Sequence, residues 1–155
     1  MENLNLNFRK LGDHSVIPDL AKYAKDQALS HEAVKIYVGS DSQVTGPTMK
    51  IATVIVFHYG NNGAHVAYRT LSVKTPSDNF SRLWLEVTSS MEIAMYLREQ
   101  GLNITFVDLD LNEDPQWKSN EVLRSAIGYV TGSGFEARCK PNDAYAVRVA
   151  DTLCR

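Results

Sequence analysis

The chain has 155 residues, 18 acidic and 16 basic side chains and a net charge of −2, which excludes the global basic field that many duplex-binding proteins use. A length of this order accommodates one sizeable core and leaves too little chain for a second, so a single domain over residues 1–155 is expected. The hydrophobic share of 44% is ordinary for a globular chain, and no apolar run approaches the ~20 residues that a membrane span needs.

Two cysteines, Cys139 and Cys154, stand apart and without metal-ligand spacing, which supports neither a disulfide framework nor a zinc finger. The first residues show no basic start followed by an apolar core, so no secretory signal is expected. The expected setting is the reducing cytoplasm.

Residues 1–16 lack periodicity and read as an extended lead-in. Leu20, Ala21, Ala24, Ala28 and Leu29 recur at helical spacing from Pro18 to about Ser30, with Pro18 in the first turn. Residues 1–33 therefore make a lead-in and a covering helix. Three strands follow, over 35–43, 49–58 and 64–73, broken by Thr45-Gly46-Pro47 and by Gly60-Asn61-Asn62-Gly63, and they read as an antiparallel meander. His58 and His65 face each other across the second hairpin and read as strand residues. Ser77 or Asp78 caps a helix that runs to about Gln100, and Gly101 closes it. A strand over 103–110 comes next, then a helix from about Trp117 to Val130 and a strand over 135–139. Lys140-Pro141-Asn142 leads into a last helix from Asp143 to about Leu153. The order, one helix and then β-β-β-α-β-α-β-α, calls for an α/β fold with a mixed sheet covered by helices on both faces.

Carboxylates fall at telling places in this frame. Asp41 ends the apolar run Lys35-Ile-Tyr-Val-Gly-Ser-Asp. On the helix 78–100, Val87, Ser90, Ala94 and Leu97 lie within about 40° of Leu83, and Glu86 lies about 60° round from it, the one acid in the helix body able to turn toward the sheet. Glu92 and Glu99 point to solvent. Period two along 103–110 places Ile104, Phe106, Asp108 and Asp110 on one face, where unpaired charge is costly to bury. Asp143 shares its helix face with Ala146, Val147, Ala150 and Cys154, with Asp151 off that stripe, although a first-turn acid also serves as a helix cap. Clustered carboxylates repel one another unless cations neutralise them, and hard oxygen ligands suit Mg²⁺ or Mn²⁺. Two such ions can drive phosphodiester hydrolysis.

The segments Val38-Gly-Ser-Asp-Ser-Gln-Val44, Leu85-Glu86, Asp110 followed by Lys118-Ser119-Asn120, and Lys140-Pro141 leading into Asp143-Ala144-Tyr145 resemble, in this order, the ribonuclease H-like superfamily. More narrowly they resemble its YkuK-like group of nucleases. The resemblance implies a ribonuclease H-like sheet in which Asp41, Glu86, Asp110 and Asp143 bind two divalent cations, with Asp41 bridging. It further implies a nucleic acid partner, RNA, RNA–DNA hybrid or branched DNA, met by Ser42, Gln43, Lys118, Asn120 and Lys140. Asp108 stands where the group carries a histidine, which adds it to the candidate ligands, and Asn142 is one residue more than the group's motif before the last acid. The expected activity is metal-dependent nucleic acid hydrolysis, and the alternative is a catalytically weak binding or interaction module on the same scaffold.

Overall fold

The computed structural model describes residues 4–112, 120–140 and 145–155. Lys118 and Asp143 lie outside the described residues, as do the side chains of Asn120 and Lys140.

β-Branched and aromatic residues dominate the stretch that becomes the centre of the sheet. Strands β2 (Lys35–Thr45), β3 (Thr48–His58) and β4 (Ala64–Lys74) pair antiparallel as the expected meander. Strand β5 (Phe106–Asn112) joins the other side of β2 in parallel, and β6 (Ala137–Lys140) joins β5 in parallel. The lead-in is not wholly irregular. Arg9–Lys10 forms β1 on the outer edge of β4, with Arg9 opposite Tyr68, so the described sheet runs β1-β4-β3-β2-β5-β6. Two residues of strand carry too little pattern to be read as one.

Helix α1 (Leu20–Leu29) starts two residues later than the expected Pro18, because Asp19 is the cap: its side chain accepts from the Lys22 N–H at 3.1 Å. Asp78 caps α2 (Asn79–Glu99) through the Ser81 N–H at 2.7 Å, and Gly101 closes it at φ +89°. Helices α3 (Asn120–Gly132) and α4 (Tyr145–Cys154) complete the set.

The helices divide between the two faces by the period of two along the strands. Ile36 and Val38 point into the larger core, with Val87, Met91 and Leu97 of α2 and Val122 and Ala126 of α3. Tyr37 joins Ala146, Ala150 and Cys154 of α4 on the other face. Two residues expected together, Ile104 and Phe106, lie on opposite faces. Ile104 precedes β5 and belongs to the α2 side, whereas Phe106 packs on the α4 side. The strand begins only at Phe106, after Thr105 has bonded to Ile36 through both its N–H and its hydroxyl, so the period of two does not extend back through 104.

The two histidines also part. The register sets His58 opposite Ala64 and His65 opposite Phe57, a one-residue offset that sends their rings to opposite faces. His65 bonds Tyr59 Oη at 2.7 Å, and His58 stands beside Tyr37 and Tyr145.

Helix α4 lies so close over β2 that only glycine fits beneath it. A Cβ on Gly39 would stand 2.9 Å from Ala146 Cβ and 3.0 Å from the Val147 N. Both neighbours are fixed, so Gly39→Ala must push α4 away from the sheet. The expected loss, read from denaturant unfolding, is about 1–3 kcal/mol, typical of an overpacked core site.

Candidate functional site

Asp41 lies late in β2, on the α4 side, and Ser42 next to it lies on the α2 side. The stretch therefore reaches both layers at once. The Ser42 N–H donates to Asp41 Oδ1 at 2.8 Å, and the Ser42 hydroxyl donates to Glu86 Oε1 in a short contact. Arg82 of α2 closes the arrangement, with Nε donating to Ser42 Oγ and Nη2 to the Ser42 carbonyl, both at 3.2 Å. Asp110 approaches from the adjacent β5. One carboxylate oxygen from each of Asp41, Glu86 and Asp110 falls within 4.8 Å of the others.

Asp41 and Glu86 are only 6% and 5% exposed, so water does little to separate the three acids. Burial first, then the Asp110 and Glu86 carboxylates, push the Asp41 carboxyl up to about 8. Burial likewise lifts Glu86 to about 7, with Asp110 adding to the rise and Ser42 and Arg82 opposing it. A cavity of about 10 Å³ lies beside Glu86 and Asp110, at the lower limit of room for one water-sized body. Mutually repelling oxygen donors from Asp41, Glu86 and Asp110, the first two nearly dry, fit a hard divalent cation.

Asp108 is engaged elsewhere. Both its oxygens accept from Arg138, Nε on Oδ1 and Nη2 on Oδ2, each at 2.8 Å, and Oδ2 also accepts from the Ala146 N–H at 2.9 Å. Burial raises this carboxyl, while Arg138 and the Ala146 N–H oppose the rise. Its partner is a cation of the chain itself, and the carboxylate compensates the exposed amide dipoles at the start of α4. Asp108 thus belongs with Arg138 and not with the three gathered acids. Asp110 is an interior residue of β5 and not its terminus, and the pairing with β6 shifts between Leu109 and Asn112.

Of the residues expected to meet substrate, Ser42 is buried and its hydroxyl is spent on holding Glu86. Gln43 is exposed one position further on. Lys118 and Asp143 fall outside the described residues, and the side chains of Asn120 and Lys140 are not described.

The last helix has Tyr145 as its first described residue, with the ring beside His58 and beside Tyr37, the latter four positions before Asp41 on β2. Its far end brings Asp151 and Cys154 to Asp41, again with ligand atoms within 4.8 Å of one another. Burial first, then Asp41 and Asp151, push the Cys154 thiol up to about 11. Asp151 was expected off the buried stripe, yet its spacing, i+4 from Val147 and i−3 from Cys154, brings it to the margin; Arg82 stands at i−4 from Glu86.

An α/β sheet with acids converging from two parallel central strands and a flanking helix defines the class of scaffold. A family model described as Ribonuclease H-like matches residues 15–155, and the chain belongs to that family. No curated protein and no solved structure matches it. Among the described residues, no helix is long and apolar enough to cross a membrane.

The two sets of acids respond oppositely to neutralisation. Asp41 and Glu86 hold protons in the folded chain up to about 8 and about 7, whereas the unfolded carboxyls release them near 4. More protons bound when folded means that stability without divalent cations falls as pH rises from about 4 through about 8. Asp41→Asn should flatten that fall and raise metal-free stability at pH 9 by about 1 kcal/mol or more. Asp108→Asn leaves Arg138 without its counter-charge and should cost about 3 kcal/mol. Urea unfolding across pH measures both.

Proposed function

We propose that the chain is a metal-dependent nuclease hydrolysing phosphodiester bonds in RNA, RNA–DNA hybrid or branched DNA, related within its family to the YkuK-like group. The observation that carries this reading is the convergence of Asp41, Glu86 and Asp110, with the Asp41 and Glu86 carboxyls lifted by burial and by their acidic neighbours. Mg²⁺ or Mn²⁺ bound there would activate water and stabilise the leaving oxygen of a phosphodiester.

The chain's own residues set the stage for that chemistry. Ser42 holds Glu86 and Asp41 in register, one through its hydroxyl and the other through its N–H. Arg82 fixes Ser42 in turn. Asp41 belongs to both groups of candidate ligand atoms, with Glu86 and Asp110 on one side and with Asp151 and Cys154 on the other. That shared place suits it to bridge two cations. The fourth acid comes from the last helix: Asp143 by family resemblance, Asp151 by its approach to Asp41. Exposed Gln43, with Lys118, Asn120 and Lys140, would contact the nucleic acid. Bound cations and these local groups supply the positive charge that the overall balance of −2 does not.

Mn²⁺ should raise the melting temperature of wild type markedly and that of Asp41→Asn little, because a ligand that binds only the folded state stabilises it by mass action. The wild type should cleave a labelled member of a panel of RNA, hybrid and branched DNA substrates, and Asp41→Asn should lose at least about 10²-fold in rate. Absence of both the shift and the cleavage would favour the binding-module alternative. Parallel assays of Asp143→Asn and Asp151→Asn decide which acid of the last helix serves: the working ligand shows the larger loss of Mn²⁺ stabilisation.

A further inference from the structure

The opposite end of β2 carries a second feature, unrelated to the gathered acids. Lys35, Tyr37, His58, Phe106, Arg138 and Tyr145 line a cavity of about 310 Å³, at the lower end of the size range of small-molecule sites. Tyr37, His58 and Tyr145 form a triangle of rings with centroids 6.0, 5.8 and 5.9 Å apart. Phe106 stacks on Tyr37 at 6.1 Å. The Arg138 guanidinium lies over the Tyr37, Phe106 and Tyr145 rings at 4.3, 4.7 and 5.0 Å.

Arg138 is held there by its two bonds to Asp108, so it stiffens the aromatic wall while its charge is balanced. Among the described residues of the lining, Lys35 has no such paired carboxylate and none is acidic. A cationic ligand, the usual guest of an aromatic cage, would meet Arg138 and Lys35 as like charges. A flat, aromatic ligand carrying negative charge meets ring faces for its plane and an ammonium for its anion. Tyr145 keeps 39% of its surface exposed and His58 is half-buried, which leaves ring surface available to a guest.

We propose that this cavity binds a nucleoside monophosphate group, its base against Tyr145 and His58 and its phosphate at Lys35. The group is supplied either as a free mononucleotide or as the 5′-phosphorylated end of a strand. The site is separate from the acids. Tyr37 and Asp41 are four positions apart on β2, roughly 13 Å of strand, and α4 crosses the sheet between them over Gly39. Binding here therefore does not depend on metal at Asp41.

The test is calorimetric titration of the full chain, free of divalent cations, with AMP, adenosine and a 5′-phosphorylated dinucleotide, with the His58 ring proton followed by NMR. AMP or the dinucleotide should bind in the micromolar to low millimolar range and shift the His58 resonance. Tyr145→Ala, a change at an exposed side chain, should weaken binding about tenfold or more through loss of base stacking. Lys35→Ala should abolish the preference for AMP over adenosine, about tenfold in wild type. Equal binding of AMP and dinucleotide assigns the free mononucleotide, and binding of the dinucleotide alone assigns the strand end. No heat and no His58 shift with any of the three at ~10 mM, or AMP affinity unchanged in Tyr145→Ala, overturns the proposal. The melting shift with Mn²⁺ reads the acid cluster independently, so the two readings fail separately.

Discussion

Mutual repulsion among buried carboxylates is the constraint that organises one end of this molecule. Asp41, Glu86 and Asp110 come from a strand, a helix and a neighbouring strand, and no chain connectivity forces them together. Folding nevertheless brings oxygens of all three within 4.8 Å and strips most of the water from Asp41 and Glu86. Such an arrangement is unfavourable by itself and becomes favourable only with protons or cations among the oxygens. The scaffold stores that cost in rigid elements: β2 and β5 at the centre of the sheet, and α2 capped by Asp78 and held to Ser42 through Arg82.

The contrast with Asp108 shows how the same side chain serves opposite ends. Asp108 lies two residues from Asp110 on the same strand and is the more deeply buried of the two, and its charge is met by Arg138 and by the Ala146 N–H. It joins β5, β6 and the start of α4 into one frame. One acid of the pair is a fastener, and the other is left facing acids. The difference lies in the partner that the neighbouring elements bring, which the strand's own residues do not specify.

Much of the architecture was legible because it rests on local pattern. The β-branched runs, the Gly-containing turns and the caps at Asp78 and Gly101 located the meander, the long helix and the later strands. Glu86 was found at the margin of a helix stripe because helical spacing is a strict period. Other features depended on contacts between distant segments. Neither the edge strand Arg9–Lys10 nor the pairing of Asp108 with Arg138, 30 residues on, leaves a local signature. The direction in which α4 crosses β2 was equally hidden: it takes Tyr145 to the Tyr37 end and Asp151 to Asp41, and periodicity defines a helix face without saying which end meets which neighbour. The position of His65 was missed by a single residue of register, enough to change the face of the sheet.

The two ends of β2 thus carry different chemistry, oxygen donors after Gly39 and aromatic rings with a lysine before it, parted by a helix that only a glycine permits so near. The central claim concerns the first of these ends: that three carboxylates share a cation. Diffraction from crystals soaked in Mn²⁺, collected at the manganese absorption edge, addresses it without reference to any substrate. The account predicts an anomalous peak in coordinating contact with Asp41, Glu86 and Asp110 together. A map with manganese only at other positions, or with the three side chains swung apart and no peak among them, would contradict it.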